Sequence, residues 1–266
     1  GVILGNLGNY SAASVEFQQS RSILTQLIKE HPEGSAQLAD SLARILEELG
    51  KAVEKLGKLN EAFEVYNEAL AIREQLVKEH PLVPEYASDL AGLCNDLAGL
   101  CGHRGQTDQG EAMARKSVVL REQLVKDFPD VPRYASGLGL SYLTYATFLG
   151  ASGKVNDTIL MDRKAILLLE EFLKDHPREL HAAFILAGAY NHLGIFLSHL
   201  EKLDEGVEAQ KKALAIHLRL AEDHPDVPKY ATGLAGAYNN LGVTFGRLGK
   251  PNEQVEVYRK ALVIRE

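Results

Sequence analysis

Five prolines stand at a nearly fixed interval in this chain. Pro32, Pro81, Pro129, Pro177 and Pro225 are separated by 49, 48, 48 and 48 residues. A second ruler, Gly57, Gly105, Gly153, Glu201 and Gly249, steps by 48 throughout, so the one extra residue lies between Pro32 and Gly57. Gly8 falls 49 before Gly57 and marks an earlier, partial copy. A period of this length means stacked structural units, each packed on its neighbours, and it overrides any single globular core.

The prolines belong to a longer phrase. Lys78 to Tyr86 (KEHPLVPEY) returns as Lys126 to Tyr134 (KDFPDVPRY) and as Glu222 to Tyr230 (EDHPDVPKY). The first proline stops the outgoing helix, because the residue before it is pushed out of the α region. The second suits the first turn of the next helix, where a missing N–H is no loss. His31, His80, His176 and His224 all precede the first proline, a place for a turn or cap residue.

Between the marks, apolar residues recur at three- and four-residue steps. Leu234, Tyr238, Leu241, Phe245 and Leu248 make one stripe; Val255, Tyr258, Ala261 and Leu262 make the next. Gly242 sits inside the first stripe, where glycine costs about 1 kcal/mol against alanine; its presence implies that another helix crosses closely. The pattern predicts helices near 1–7, 10–30, 35–56, 59–79, 84–103, 107–127, 132–151, 155–175, 179–200, 203–223, 228–248 and 252–266. No strand pattern occurs, and the short connections make neighbours antiparallel. The units are a partial copy over 1–31, then 32–80, 81–128, 129–176 and 177–224, with 225–266 stopping short. The expected fold is an all-α solenoid of stacked antiparallel helix pairs, one array over 1–266.

Charge narrows the partners. The net charge is −7 and the isoelectric point near 5.8, against the basic face that nucleic acid requires. Cys94 and Cys101 lie seven residues apart on one predicted helix, a rise of about 10.5 Å, too far for a disulfide. They are expected as small core residues in a reducing, cytoplasmic setting. No basic segment followed by an apolar run opens the chain. Tyr134 to Gly153 carries no charge, but its Gly, Ser, Thr and Tyr and its repeat register argue against a membrane span.

Catalytic and metal signatures fail on geometry. No Ser/His/Asp or Cys/His set can be placed. Gly137-x-Gly139 lies within a helix, where it cannot form a phosphate-binding turn. His103 is turned about 200° from Cys101 around the helix. His192 and His199 share a face without a third ligand and read as a solvated groove face. The chain is therefore expected to be no enzyme and to hold no metal or cofactor.

Tyr238, Leu241-Gly242, Phe245, Gly249, Tyr258 and Ala261 resemble the tetratricopeptide repeat in residue type and spacing. Tyr190, Leu193-Gly194 and Ala213 resemble it one unit upstream, as do Leu49-Gly50, Gly57, Ala62, Tyr66 and Ala69. Ala98 and Ala146 depart from the Leu-Gly glycine, and Glu201 from the turn glycine. The unit is longer than that family's usual 34 residues. Long units of this kind resemble kinesin light chain repeats, whose first helices carry an Asn-Asn-Leu-Ala phrase, and the repeat regions attached to bacterial serine/threonine kinases. The equivalents here are Asn95-Asp96-Leu97-Ala98, Asn191-His192-Leu193-Gly194 and Asn239-Asn240-Leu241-Gly242.

The resemblance implies a right-handed superhelix whose first helices line a concave groove for a protein or an extended peptide. It points the positions three before and one after the Leu-Gly glycine into that groove: Glu47, Asn95, Leu143, Asn191 and Asn239, then Lys51, Gly99, Thr147, Ile195 and Val243. Asparagine both donates and accepts, so a ladder of them can pair with any peptide backbone. Leu140, Leu143 and Thr147 are expected to form an apolar pocket between Asn95 and Asn191, with His192 and Asn240 on the same face. Arg44, Glu47 and Lys51 would meet a charged part of the ligand. The competing reading is a self-association or regulatory region of a larger protein, such as a bacterial serine/threonine kinase, assembling through uncapped ends. Val2, Ile3, Leu4, Val263 and Ile264 are expected to be exposed there.

Overall fold

The computed structural model describes residues 1–6, 8–31 and 35–265. Leu7, Pro32 and Glu266, used above in placing helices and the first proline, lie outside the described residues. The described chain is helical throughout, with no strand among those residues. Its elements are α1 (Val2–Asn6), α2 (Tyr10–Glu30), α3 (Ser35–Lys55), α4 (Leu59–Glu79), α5 (Pro84–His103), α6 (Thr107–Asp127), α7 (Pro132–Ala151), α8 (Val155–Asp175), α9 (Leu180–His199), α10 (Leu203–Asp223), α11 (Pro228–Arg247) and α12 (Pro251–Arg265).

Each turn within a pair closes in the same way. The turn residue donates its N–H to the carbonyl three back, and the next residue donates to the carbonyl five back. Examples are Gly57 to Glu54 at 2.8 Å with Lys58 to Val53 at 3.2 Å, and Gly249 to Gly246 at 3.1 Å with Lys250 to Phe245 at 3.0 Å. This paired bond caps the last carbonyls of a helix and needs one left-handed residue. The glycines oblige, with φ between 68° and 77°. Glu201 takes the same conformation with φ 60°, at the steric cost a β-carbon brings there.

The connections between pairs follow the proline phrase. Pro84, Pro132 and Pro228 are the first residues of α5, α7 and α11. His31, His80, His176 and His224 are the C-caps of α2, α4, α8 and α10. The ring before the first proline meets a tyrosine in the next helix: His80 with Tyr86, Phe128 with Tyr134 and His224 with Tyr230, at 5.9, 6.1 and 6.0 Å. At the fourth junction Ala182 replaces the tyrosine, and His176 turns back onto Phe172 at 4.6 Å.

Inside a pair the helices cross at the small residue of the first helix. A β-carbon added to Gly50 would stand 2.5 Å from the Tyr66 ring, and one added to Gly242 2.4 Å from the Tyr258 ring. The expected close approach is therefore present, and the neighbour is the second helix of the same pair.

The contacts divide the chain into two compact units, residues 1–127 with α1–α6 and residues 128–266 with α7–α12. Unit 1 closes around Phe17, Leu46, Leu49, Tyr66, Leu93 and Leu97. Cys94 and Cys101 are buried in α5. In unit 2 the most apolar helix is α9, which is by length and composition the membrane-span candidate among the described residues rather than α7; half of that stretch is buried in the fold. Val2 and Ile3 are exposed, but Leu4 is half-buried against the unit 1 core and Ile264 is half-buried, contrary to expectation. Val263 is exposed at 72%, but Leu167 at the same repeat position is equally exposed at 72%. Exposure of Val263 is thus a property of its register. Leu262 is the residue that departs from it, at 58% against 8% for Ile166.

Relieving the one left-handed side chain among the described residues, Glu201, should stabilise the fold. Glu201→Gly is expected to add about 1 kcal/mol, because the solvent-exposed Glu201–Arg247 ion pair it removes is worth less than that. A higher urea midpoint with an unchanged slope would show it.

Candidate functional site

In unit 2 the first helices pack directly on one another: α9 touches both α7 and α11, besides its partners α8 and α10. Contact of similar extent does not join α8 to α10 or α10 to α12 among the described residues. The first helices α7, α9 and α11 are thus the more closely packed layer of this unit.

The expected groove residues fall on this layer in graded exposure. On α7, Leu140 and Leu143 are half-buried and Thr147 is exposed. A methyl of Leu143 lies 3.1 Å from where a β-carbon of Gly188 would stand, so this side chain is seated against α9. The Thr147 hydroxyl donates to the Leu143 carbonyl at 2.9 Å. On α9, Asn191, His192 and Ile195 are half-buried; on α11, Asn239 and Asn240 are half-buried and Val243 is exposed. Asn95 is half-buried on α5, in unit 1. The buried Oδ1 of Asn191 has no hydrogen-bond partner within the protein.

His192 is held from below. Its Nδ1 lies 2.9 Å from both carboxylate oxygens of Asp162 on α8, and its ring packs on Phe196 at 4.8 Å. Asp162 is fully buried. Burial raises its carboxyl above the ordinary 3.8, while the hydrogen bond and charge of His192 draw it back down. His192 is therefore a positioned side chain and not the freely solvated one that its spacing to His199 suggests.

Two positions of the second helices carry polar residues that the sequence pattern did not single out, although the 48-residue ruler passes through both and Tyr66 and Tyr258 belong to the resemblance. One holds Arg73, Arg121, Leu169 and His217. Arg73, 1% exposed, pairs with Asp40, with Glu47 at 2.8 Å and with Asp89 at 3.3 Å. Burial holds the Glu47 carboxyl above its usual range even beside that guanidinium. Arg44 pairs with Asp40 and Lys51 with Glu48, so the charges expected to meet a ligand at this end are matched within unit 1. His217 is buried against Phe184 at 5.3 Å, and burial pushes its imidazole down to about 4.

The other position holds Tyr66, Ala114, Asp162, Gln210 and Tyr258, each sixteen residues after the small residue that it faces. Gln210 is buried beneath a cavity of about 110 Å³ between α9, α10 and α11, whose wall includes Ile195, Asn240 and Val243. Three of the expected groove residues thus share one cavity with a residue that the groove pattern does not contain.

Two outcomes follow from the buried titratable groups. His192→Ala leaves Asp162 with burial alone, which raises its folded pKa further. A raised carboxyl stabilises the fold below its unfolded value and loses that contribution as pH rises. The variant is expected to lose about 3 kcal/mol near neutral pH and much less near pH 4, as read by urea unfolding at both. His217 has the opposite sign. Its lowered pKa supplies stability above pH 6.5 that is lost as pH falls toward about 4. His217→Leu, the residue that stands one unit upstream at Leu169, should flatten the fall in melting temperature over that window.

Residues 42–82, 186–226 and 234–266 match the tetratricopeptide repeat profile. Among solved structures, BtubC (BKLC) from P. vanneervenii superposes with a TM-score of 0.71 at 19% identity, over 96% of this chain and 91% of its own. A kinesin light chain-like protein of Podosopora anserina with nearly identical TPR-like repeats gives 0.57 at 19% identity, over 84% and 93%. The apo form of RapI gives 0.59 at 15%, over 84% and 69%. The curated proteins contain no match. At these identities the likeness is one of fold, and it includes long-unit repeats of the kinesin light chain kind.

Proposed function

We propose that this chain, a tetratricopeptide-repeat protein of the long-unit type, is a non-catalytic scaffold that binds a protein partner through an extended peptide on the inner face of its first helices. The observation that supports the reading is the direct packing of α9 on α7 and α11, and Leu143, Asn191 and Asn239 hold the same repeat position on these three helices. Asn95 holds the same register on α5.

The competing reading of Asn191 is a bridge between neighbouring helices. The buried Asn191 Oδ1 makes no such bridge, and a buried acceptor without a donor costs about 1–3 kcal/mol. A peptide N–H supplied by a ligand would remove that cost. Leu140 and Leu143 would contribute apolar contact beside it, with Thr147, Ile195 and Val243 along the rim and His192 presented by Asp162. Each asparagine amide can pair with backbone groups whatever the ligand's side chains are, which suits a scaffold that grips a segment by its main chain.

A displayed peptide library selected on the protein supplies the probe. Asn191→Ala with Asn239→Ala is expected to weaken the selected peptides at least tenfold, the loss of two hydrogen bonds of about 1 kcal/mol each, with no fall in the melting temperature. Retained affinity together with a lower melting temperature would make the asparagines structural and sink the ladder.

A further inference from the structure

The repeat places two polar residues where a tyrosine seals the pair in other units. Tyr66 lies over Gly50 and Tyr258 over Gly242, at 2.5 and 2.4 Å from an added β-carbon. Asp162 holds the equivalent position sixteen residues after Ala146, and Gln210 lies over Gly194, with its Cγ 2.5 Å from an added β-carbon. The crossing at Gly194 is tight on backbone as well, since that β-carbon would also stand 2.8 Å from the Gly206 carbonyl oxygen. So the glycine is there, but the ring that fills the space beside it elsewhere is replaced by a shorter amide.

The two substitutions are answered differently. Thirty residues after Asp162 stands His192, which binds it at 2.9 Å. Thirty residues after Gln210 stands Asn240, which lines the cavity and makes no hydrogen bond to it, since both amide atoms of Gln210 are buried without a partner in the protein. Gln210 is 1% exposed. The neighbouring hydroxyls are committed elsewhere: Ser198 donates to the Gly194 carbonyl at 2.8 Å and Thr244 to the Asn240 carbonyl at 3.3 Å. Arg247, at the rim, is paired with Glu201 at 2.8 Å. The cavity, about 110 Å³, is several times the roughly 10–15 Å³ that one water requires.

We propose that this cavity between α9, α10 and α11 is a side-chain subsite for a primary carboxamide, the asparagine or glutamine of a peptide lying on the inner face. The inference rests on the peptide-scaffold reading and names one residue class of the ligand. Donor and acceptor counting excludes an isolated ion, and a flat pairing of separate donor and acceptor atoms sets a carboxamide above a hydroxyl, which would serve both from one oxygen. Gln210 offers two N–H donors and one carbonyl. A carboxylate would satisfy the nitrogen and leave the carbonyl orphaned, and an ammonium would do the reverse. A carboxamide satisfies both in one plane. Exposed Val243 and His199 flank the mouth, where the ligand's chain would pass.

The test uses the full chain and two substitutions. Gln210→Tyr puts the sealing residue of the other units over Gly194; Gln210→Met keeps the volume and removes both hydrogen-bonding atoms. Acetamide is titrated into the ¹⁵N-labelled protein and the Gln210 side-chain amide signal, assigned by its loss in either variant, is followed. Acetamide should shift it at a concentration at least tenfold lower than acetate, which can meet the N–H but not the carbonyl. In the peptide selection, binders should share an Asn or Gln at one fixed place. Either variant should weaken them at least tenfold, with no further loss when that residue is also changed to Leu. Equal shifts with acetate overturn the carboxamide assignment, and no shift with either overturns the subsite. Peptides that bind without a shared amide, or equally well to both variants, sink the inference and leave the scaffold reading standing. Acetamide shifts with no selectable peptide sink the scaffold reading and with it the peptide part of the proposal.

Discussion

The structure depends on how closely the two helices of each pair approach. At the crossing, one position of the first helix must be small, and the residue sixteen later on the second helix covers it. Gly50 lies under Tyr66 and Gly242 under Tyr258; where the first helix carries the larger Ala98, the residue sixteen later is the smaller Ala114. A larger residue on one side goes with a smaller one on the other because interiors are close-packed and a methyl group too many or too few is felt. The departure from the glycine at Ala98 is therefore met by a smaller residue within the same pair.

That crossing also sets what the face of the first helices can do. A tyrosine there finishes the pair as a closed hydrophobic unit. A polar residue there needs a partner, and the first helix of the following pair is the element within reach. Asp162 obtains His192, which fixes the ring's tautomer and orientation and gives α9 a held imidazole at the surface. Gln210 obtains no partner from within, and the space beside it communicates with the face on which Asn239 and Asn240 lie. Variation at one buried position of the second helices thus changes the chemistry exposed on the first.

Turn and linker do the remaining work through steric preferences. The left-handed turn residue and the proline at the head of the next helix are short-range demands, satisfied by residues that have no other partner to consult. They repeat every 48 residues, and so the helix boundaries repeat with them. Glu201 shows the strength of the demand: the turn keeps its conformation when the glycine is missing.

Helix positions, the paired turns, the capping histidines and the burial of Cys94 and Cys101 were all legible in the sequence, because each rests on local backbone preference or on the period of apolar residues. The placing of Leu143, Asn191 and Asn239 at one register was legible for the same reason, since a constant repeat carries any position onto its equivalent. What stood against those residues was not. His192 and Asp162 are thirty residues apart on different helices, and Arg73 gathers Asp40, Glu47 and Asp89 from two others. Charge in a sequence says nothing about whether it is spent on a neighbour, so Glu47 looked available and His192 looked solvated. Nor could the sequence rank Gln210 above the other polar residues of its helix: its meaning comes from the glycine beneath it and the helix beside it. Periodicity determines which residues share a face; only the packed structure decides which polar groups on that face are already satisfied.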